Sequence, residues 1–225
     1  MIDLKELNEN DPLKRIVERQ NEAEEFSPMD PPDAYSPPAM NPISYDQMPS
    51  ILQKLMDEHK VAIGEIEAFE GVLNRLRQEG ITREVVEEGG TSRFFRFLDE
   101  KAVPHNLKEE RVLFPQLQQK LLESGEHSQG MDRRTAIDML EDDHLKMIQL
   151  AAVTLNLLSL SVRLPDQASR EVTLDVALEQ GSMLVELLRL HIFREDNLLF
   201  PMAVRLLNEE TLSDMKVEFD ELSAG

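Results

Sequence analysis

Apolar residues return at three- and four-residue steps through most of this chain, and that rhythm predicts helices from about Pro49 onward. Leu52, Leu55, Met56, His59, Ile63, Ile66, Phe69 and Leu73 share one side of a first long helix that ends at Gln78-Glu79-Gly80. A second opens at Gly89-Gly90-Thr91-Ser92, carries Phe94, Leu98, His105, Glu109 and Val112 inward, and closes between Ser124-Gly125 and Ser128-Gln129-Gly130. Ile137, Leu140, His144, Met147, Ile148, Ala151, Leu155 and Leu158 line a third, which stops before Pro165-Asp166. The fourth runs from about Ser169 with Leu184, Leu187, Leu188, His191, Glu195, Leu198, Met202 and Leu206 inward. A short terminal helix spans Thr211 to Leu222. No stretch alternates with period two, so no strand is expected. The fold class is all-α, an up-down-up-down four-helix bundle joined by short loops.

Residues 1–48 break the rhythm. Asp11-Pro12 predicts a helix start, and Leu13, Ile16 and Val17 line one face of a short helix to about Phe26. Seven of the twelve prolines then fall between Ser27 and Pro49, a composition that favours an extended, proline-rich arm. The expected division is therefore an arm over 1–48 and a bundle over 49–223.

Inside the helical pattern the chain repeats itself. His105-Asn106-Leu107-Lys108-Glu109 through Leu113-Phe114-Pro115 returns as His191-Ile192-Phe193-Arg194-Glu195 through Leu199-Phe200-Pro201. A looser pair centres on His59 and His144. The offsets are 85 and 86 residues, so four of the five histidines occupy matched positions of a duplicated two-helix unit. Each lies in an apolar stripe, and Glu109 and Glu195 follow a histidine by one helical turn, so all six side chains should point inward. Six polar or ionisable groups in one core are costly unless a partner neutralises them. Imidazole and carboxylate together form the donor set of a transition metal. The twofold pattern suggests two metal positions, each with two histidines, bridged by the glutamates.

Prolines mark the same places. Pro115 and Pro201 each remove a backbone donor and should kink the helix beyond Glu109 or Glu195, with Pro104 a third irregularity. Such a distortion leaves Glu110 or Asp196 as an alternative ligand to its neighbour. Glu58, Asp142 and Asp143 read as surface charge, one of them placed to orient an imidazole. His127 lies outside the repeat and is expected in solvent, and the methionines read as core filler.

Composition narrows the chemistry. With no cysteine among 225 residues, disulfides, thiolate sites and iron–sulfur ligation are excluded. A net charge of −20 argues against nucleic acid. No stretch has the length of a membrane span or the layout of a signal peptide, so a cytoplasmic location is the default expectation. A ferritin-like oxidase needs Glu-x-x-His on two helices, and only Glu141 to His144 fits.

These motifs resemble the hemerythrin-like (HHE cation-binding) family, whose second and fourth helices carry His-x-x-x-Glu followed by Leu-Phe-Pro. Here those are His105/Glu109 and His191/Glu195, with single histidines at His59 and His144, over about residues 48–223. The resemblance implies a bundle holding a non-haem di-iron centre with two carboxylate bridges and usually an oxo or hydroxo bridge. Spacing alone would also allow manganese or zinc. Oxygen-carrying hemerythrins place a further histidine where this chain has Ile148. The set of four histidines and two glutamates is more similar to members that repair iron centres under nitrosative stress, although those commonly carry a cysteine-containing N-terminal segment and this chain has no cysteine. The expected role is to bind or sense O2, NO or iron. The alternatives are an enzyme acting on peroxide or NO with an electron donor, a donor of iron to damaged centres, or a metal-free interaction module. A homo-oligomer stays open.

Overall fold

The computed structural model describes residues 43–81, 89–128 and 133–224, all within one compact unit, Ala39–Gly225. The expected short helix and most of the proline-rich arm lie outside the described residues. So does the Gln129-Gly130 part of the loop that was to close the second helix.

The described residues are helical, with no strand among them. After a short 3-10 turn at Tyr45–Gln47, α1 runs over Ser50–Glu79. Gly80 stops it by taking φ 72°, a left-handed conformation that glycine adopts without steric cost. A second rod is continuous but not uniform: α2 (Gly90–Phe97), a π-helical stretch Leu98–Ala102, α3 (Val103–Lys108), a second π stretch Glu109–Leu113, and α4 (Phe114–Ser124). The third rod is α5 (Ala136–Ser161), started by a capping box in which Thr135 and Asp138 satisfy each other's backbone N–H groups. The fourth rod joins α6 (Gln167–Arg194), a π stretch Glu195–Leu199 and α7 (Phe200–Leu206), and α8 (Glu209–Ala224) closes the chain.

The three π stretches each end two residues before a proline: Pro104, Pro115 and Pro201. Proline has no N–H and crowds the carbonyl four residues back, so the regular hydrogen-bond ladder is interrupted and the rod takes up one extra residue as a π turn. The N–H of Phe114 therefore donates to the Glu109 carbonyl, five residues earlier, and Phe200 does the same to Glu195. The kink expected beyond each glutamate is thus a π turn that begins at the glutamate itself.

Two layers of side chains fill the interior. Toward one end, Phe69 stacks on Phe94 with ring centroids 3.9 Å apart, backed by Ile66, Leu73, Leu178 and Leu184. Close packing there depends on Gly181, where an added Cβ would lie 3.0 Å from the Leu73 methyls and 3.3 Å from Thr154. The other layer holds the histidines. Two expected core positions differ: Ile148 and Leu155 are exposed, because they flank an open cavity rather than a neighbouring helix. No helix among the described residues is long and apolar enough to cross a membrane.

Candidate metal centre

His59 on α1, His105 on α3, His144 on α5 and His191 on α6 are all buried, and they meet as two pairs. The Nε2 atoms of His59 and His105 lie 3.0 Å apart, and those of His144 and His191 also 3.0 Å apart. Their rings are tilted by 54° and 59°. The repeated phenylalanines hold these rings from behind: Phe200 stacks on His59 and Phe114 on His144, each with centroids 5.7 Å apart. That packing gives the Leu-Phe-Pro repeat its physical purpose.

Between the pairs stand Glu109 and Glu195, both 0% exposed. Each offers one oxygen to each pair. Glu109 Oε1 is 3.3 Å from His105 Nε2, and its Oε2 is 3.6 Å from His144 Nε2. Glu195 Oε1 is 3.2 Å from His191 Nε2, and its Oε2 is 3.2 Å from His59 Nε2. Two groups of potential ligands result, His59/His105/Glu109/Glu195 and Glu109/His144/His191/Glu195, with ligand atoms within 4.8 Å of one another in each. The glutamates belong to both.

The residues next in sequence do something else. Asp196 lies 2.8 Å from His59 Nδ1, and Glu110 lies 2.8 Å from His144 Nδ1. Glu58 lies 2.7 Å from His105 Nδ1. In each case Nδ1–H donates to the carboxylate, which orients the ring and turns Nε2, the atom a metal would take, toward the centre. Glu110 and Asp196 are therefore placed behind the imidazoles and not in the alternative ligand position that the prolines had left open. Asp143 corrects its reading as surface charge: it is buried and accepts a 3.0 Å hydrogen bond from Arg194. Asp142 is exposed and pairs with Arg134. His127 is half-buried, its Nδ1 2.9 Å from the Ser128 carbonyl.

Sequence reasoning missed two buried cations, Lys108 and Arg194. The repeat carried the signal, since each stands three residues after a histidine and one before a glutamate.

The electrostatics are those of a charged core held together by mutual neutralisation. Burial would lower the His59 pKa, but Asp196 and Glu195 raise it to about 10. Against the same burial, Glu109 and Glu58 raise His105 to about 9, and Glu195 and Asp143 raise His191 to about 9. His144 is lowered, first by burial and then by the charge of His191. Burial pushes the Glu195 carboxyl up, yet His191 and His59 hold it well below the usual carboxylate range.

Two observations test whether this donor set suits metal ions. All four carboxylate oxygens of Glu109 and Glu195 are buried without a hydrogen-bond partner, so their charges need cations beside them: protonated imidazoles in the metal-free chain, or metal ions in their place. In addition, two imidazole nitrogens 3.0 Å apart have the spacing of donors that approach one ion at a right angle from about 2.1 Å. Nitrogen and oxygen donors without sulfur fit a transition metal such as iron.

The family model described as the hemerythrin HHE cation binding domain matches residues 50–203. The chain belongs to the hemerythrin HHE cation-binding family. A curated member among its relatives is the iron-sulfur cluster repair protein YtfE of Musicola paradisiaca (strain Ech703), 28% identical over 162 residues. The match covers 71% of this chain and 65% of that protein, so the chain spans just under two thirds of the relative's length. No solved structure matches. The matched segment contains every histidine and glutamate of the two groups.

A cavity of about 1190 Å³ reaches His59, His105 and His191 from the surface. Its walls are mainly apolar and include Ile66, Phe95, Leu98, Met147, Ile148 and Leu188. Ile148, one helical turn beyond His144, is among these apolar wall residues.

Proposed function

We propose that residues 49–223 form an up-down-up-down four-helix bundle that holds two non-haem iron ions, and that the protein binds or senses O2, NO or iron at that centre. The contacts support the topology: along α1 and the second rod, Phe69 meets Phe94 while His59 meets His105, so the two run in opposite senses. His144 and Glu110 pair the second rod with the third in the same way as Asp138 and Gln118 do farther along.

The observation that carries the metal reading is the placement of the two carboxylates. Each puts one unpartnered oxygen beside each histidine pair, which is the disposition of a bridge between two cations. Within this reading His59, His105, His144 and His191 bind through Nε2, and Glu109 and Glu195 span the two positions. Asp196, Glu58 and Glu110 orient three imidazoles through Nδ1. Bound there, iron supplies a redox-active centre with affinity for diatomic ligands and peroxide. The apolar cavity admits a small uncharged molecule and disfavours a hydrated anion.

The name of the relative, an iron-sulfur cluster repair protein, favours a second reading in which iron is handed to a damaged centre. Peroxide or NO reduction with an electron donor belongs to the same enzymatic class. Anaerobic iron-loaded protein is to be mixed with O2, NO or peroxide while the absorption spectrum is followed, with and without a reductant. Stoichiometric spectral change without turnover is the outcome expected for a binder or sensor. Sustained consumption of NO or peroxide would replace it with the enzymatic reading. A spectrum indifferent to all three would leave iron itself as the ligand and remove gas binding.

A further inference from the structure

The duplication extends past the six inward side chains. Glu58 and Asp143 immediately precede His59 and His144, and Lys108 and Arg194 lie three residues after His105 and His191. They are related by the same offsets of 85 and 86 residues as the histidines. Each half of the centre therefore has the same four-part design, a carboxylate beside one histidine that serves the imidazole of the next helix, with a cation in support.

The two halves are executed differently. In the first, Glu58 uses separate oxygens: Oε2 accepts from His105 Nδ1 at 2.7 Å, and Oε1 accepts from the Lys108 ammonium. Lys108 is itself fixed, 4.8 Å from the centre of the Phe219 ring on α8. In the second half the carboxylate is one methylene shorter. Asp143 Oδ2 accepts from Arg194 at 3.0 Å, and the same atom stops 3.8 Å from His191 Nδ1. At that distance Asp143 acts on His191 as a charge and not as a hydrogen-bond acceptor. His191 Nδ1 is buried without a hydrogen-bond partner, as is Nε of Arg194.

An imidazole that donates Nδ1–H to a carboxylate is locked in one tautomer and gains basicity at Nε2. His59, His105 and His144 have that support; His191 does not. On the two-ion reading given above, we infer that the position served by His144 and His191 is the weaker of the two, filling second and emptying first, and that the short reach of Asp143 sets the difference. The centre then holds one retained ion and one exchangeable ion. The exchangeable one is the ion available for transfer to an acceptor.

The test is a titration of the metal-free full chain with Fe(II) under anaerobic conditions, read by chelator competition to give two stepwise dissociation constants. The second should exceed the first by about 10–100-fold, beyond the factor that statistics alone gives identical sites. Charge repulsion between ions would also separate the constants, so the variants decide the cause. Asp143→Glu lengthens the carboxylate to match Glu58 and should tighten the weaker step by about tenfold while leaving the stronger one unchanged. Glu58→Asp, at a half-exposed site that tolerates the change, should weaken the stronger step until the two constants converge. Equal constants in the unsubstituted chain would overturn the inference. So would a folded Asp143→Glu protein with an unaltered second step, or a Glu58→Asp protein with an unaltered first. Binding of fewer than two ions by the unsubstituted chain would instead overturn the two-ion reading on which it rests.

Discussion

Glu195→Ala is expected to strip both ions from the protein, whereas Asp196→Ala should leave two bound. The carboxylate of Glu195 has one oxygen 3.2 Å from His191 and the other 3.2 Å from His59, which belong to different pairs. On the two-ion reading its removal takes a donor from both positions and one negative charge from between them. Asp196 meets His59 at Nδ1, behind the ring. Its loss should weaken one position by about 10–100-fold while two ions still bind at saturating iron. Iron content after desalting, measured on both variants, checks the contrast. A Glu195→Ala chain that keeps one ion would show that the carboxylate is a terminal ligand of a single position. Glu195→Gln provides a nearly isosteric control, since it keeps the volume and removes the charge.

The second large effect is on stability. Ions that bind only the folded chain stabilise it by about 2.7 kcal/mol each when free metal is about a hundredfold above the dissociation constant. For a chain of this size each kcal/mol shifts Tm by roughly 2–4 °C, so complete removal of two ions should lower Tm by on the order of 10–20 °C. The pH dependence should also invert. In the metal-free chain His59, His105 and His191 have pKa values raised above their ordinary value, to about 10, 9 and 9. Their contribution is therefore fully present below the unfolded value of about 6.5 and is lost as pH climbs through 9 and 10. His144, which is lowered, works in the opposite sense and costs stability as pH falls below its unfolded value. Together these groups place the metal-free optimum near pH 6.5. Metal entry expels the same protons, so iron affinity should rise with pH over the range where the metal-free chain weakens. Thermal melts of chelated and iron-loaded protein at pH 6 and pH 9 test this. A chelator that leaves Tm unchanged at both would favour the metal-free interaction module.

Much of this centre could be read from the sequence because duplication makes scarce residues conspicuous. His59, His105, His144 and His191 fall in apolar stripes, and periodicity alone turns those stripes inward. Periodicity says which side of a helix faces its neighbours but not whether a neighbour fills the space. Ile148 and Leu155 were for that reason expected in the core, although the cavity leaves them exposed. The carboxylates behind the imidazoles were legible only in part. One of Glu58, Asp142 and Asp143 was expected to orient an imidazole, and Glu58 does so for His105, while Glu110 and Asp196 stood as alternative ligands because each sits one residue from an inward position. Only the crossing of neighbouring rods brings them to a histidine. Lys108 and Arg194 were hidden by the expectation that basic side chains are exposed, although their matched places in the repeat marked them. The prolines gave the location of each irregularity. Their effect, a π turn starting at Glu109 and at Glu195, depends on which carbonyl takes the freed N–H, and sequence does not specify that choice.

The central claim is that imidazoles from four rods and two carboxylates share a pair of iron ions. Anomalous diffraction from crystals of iron-loaded protein, recorded on either side of the iron absorption edge, addresses it directly. The account predicts two iron peaks between the Glu109 and Glu195 carboxylates, one beside the His59–His105 pair and one beside the His144–His191 pair. No anomalous peak there, or a single peak touching only one pair, would contradict it.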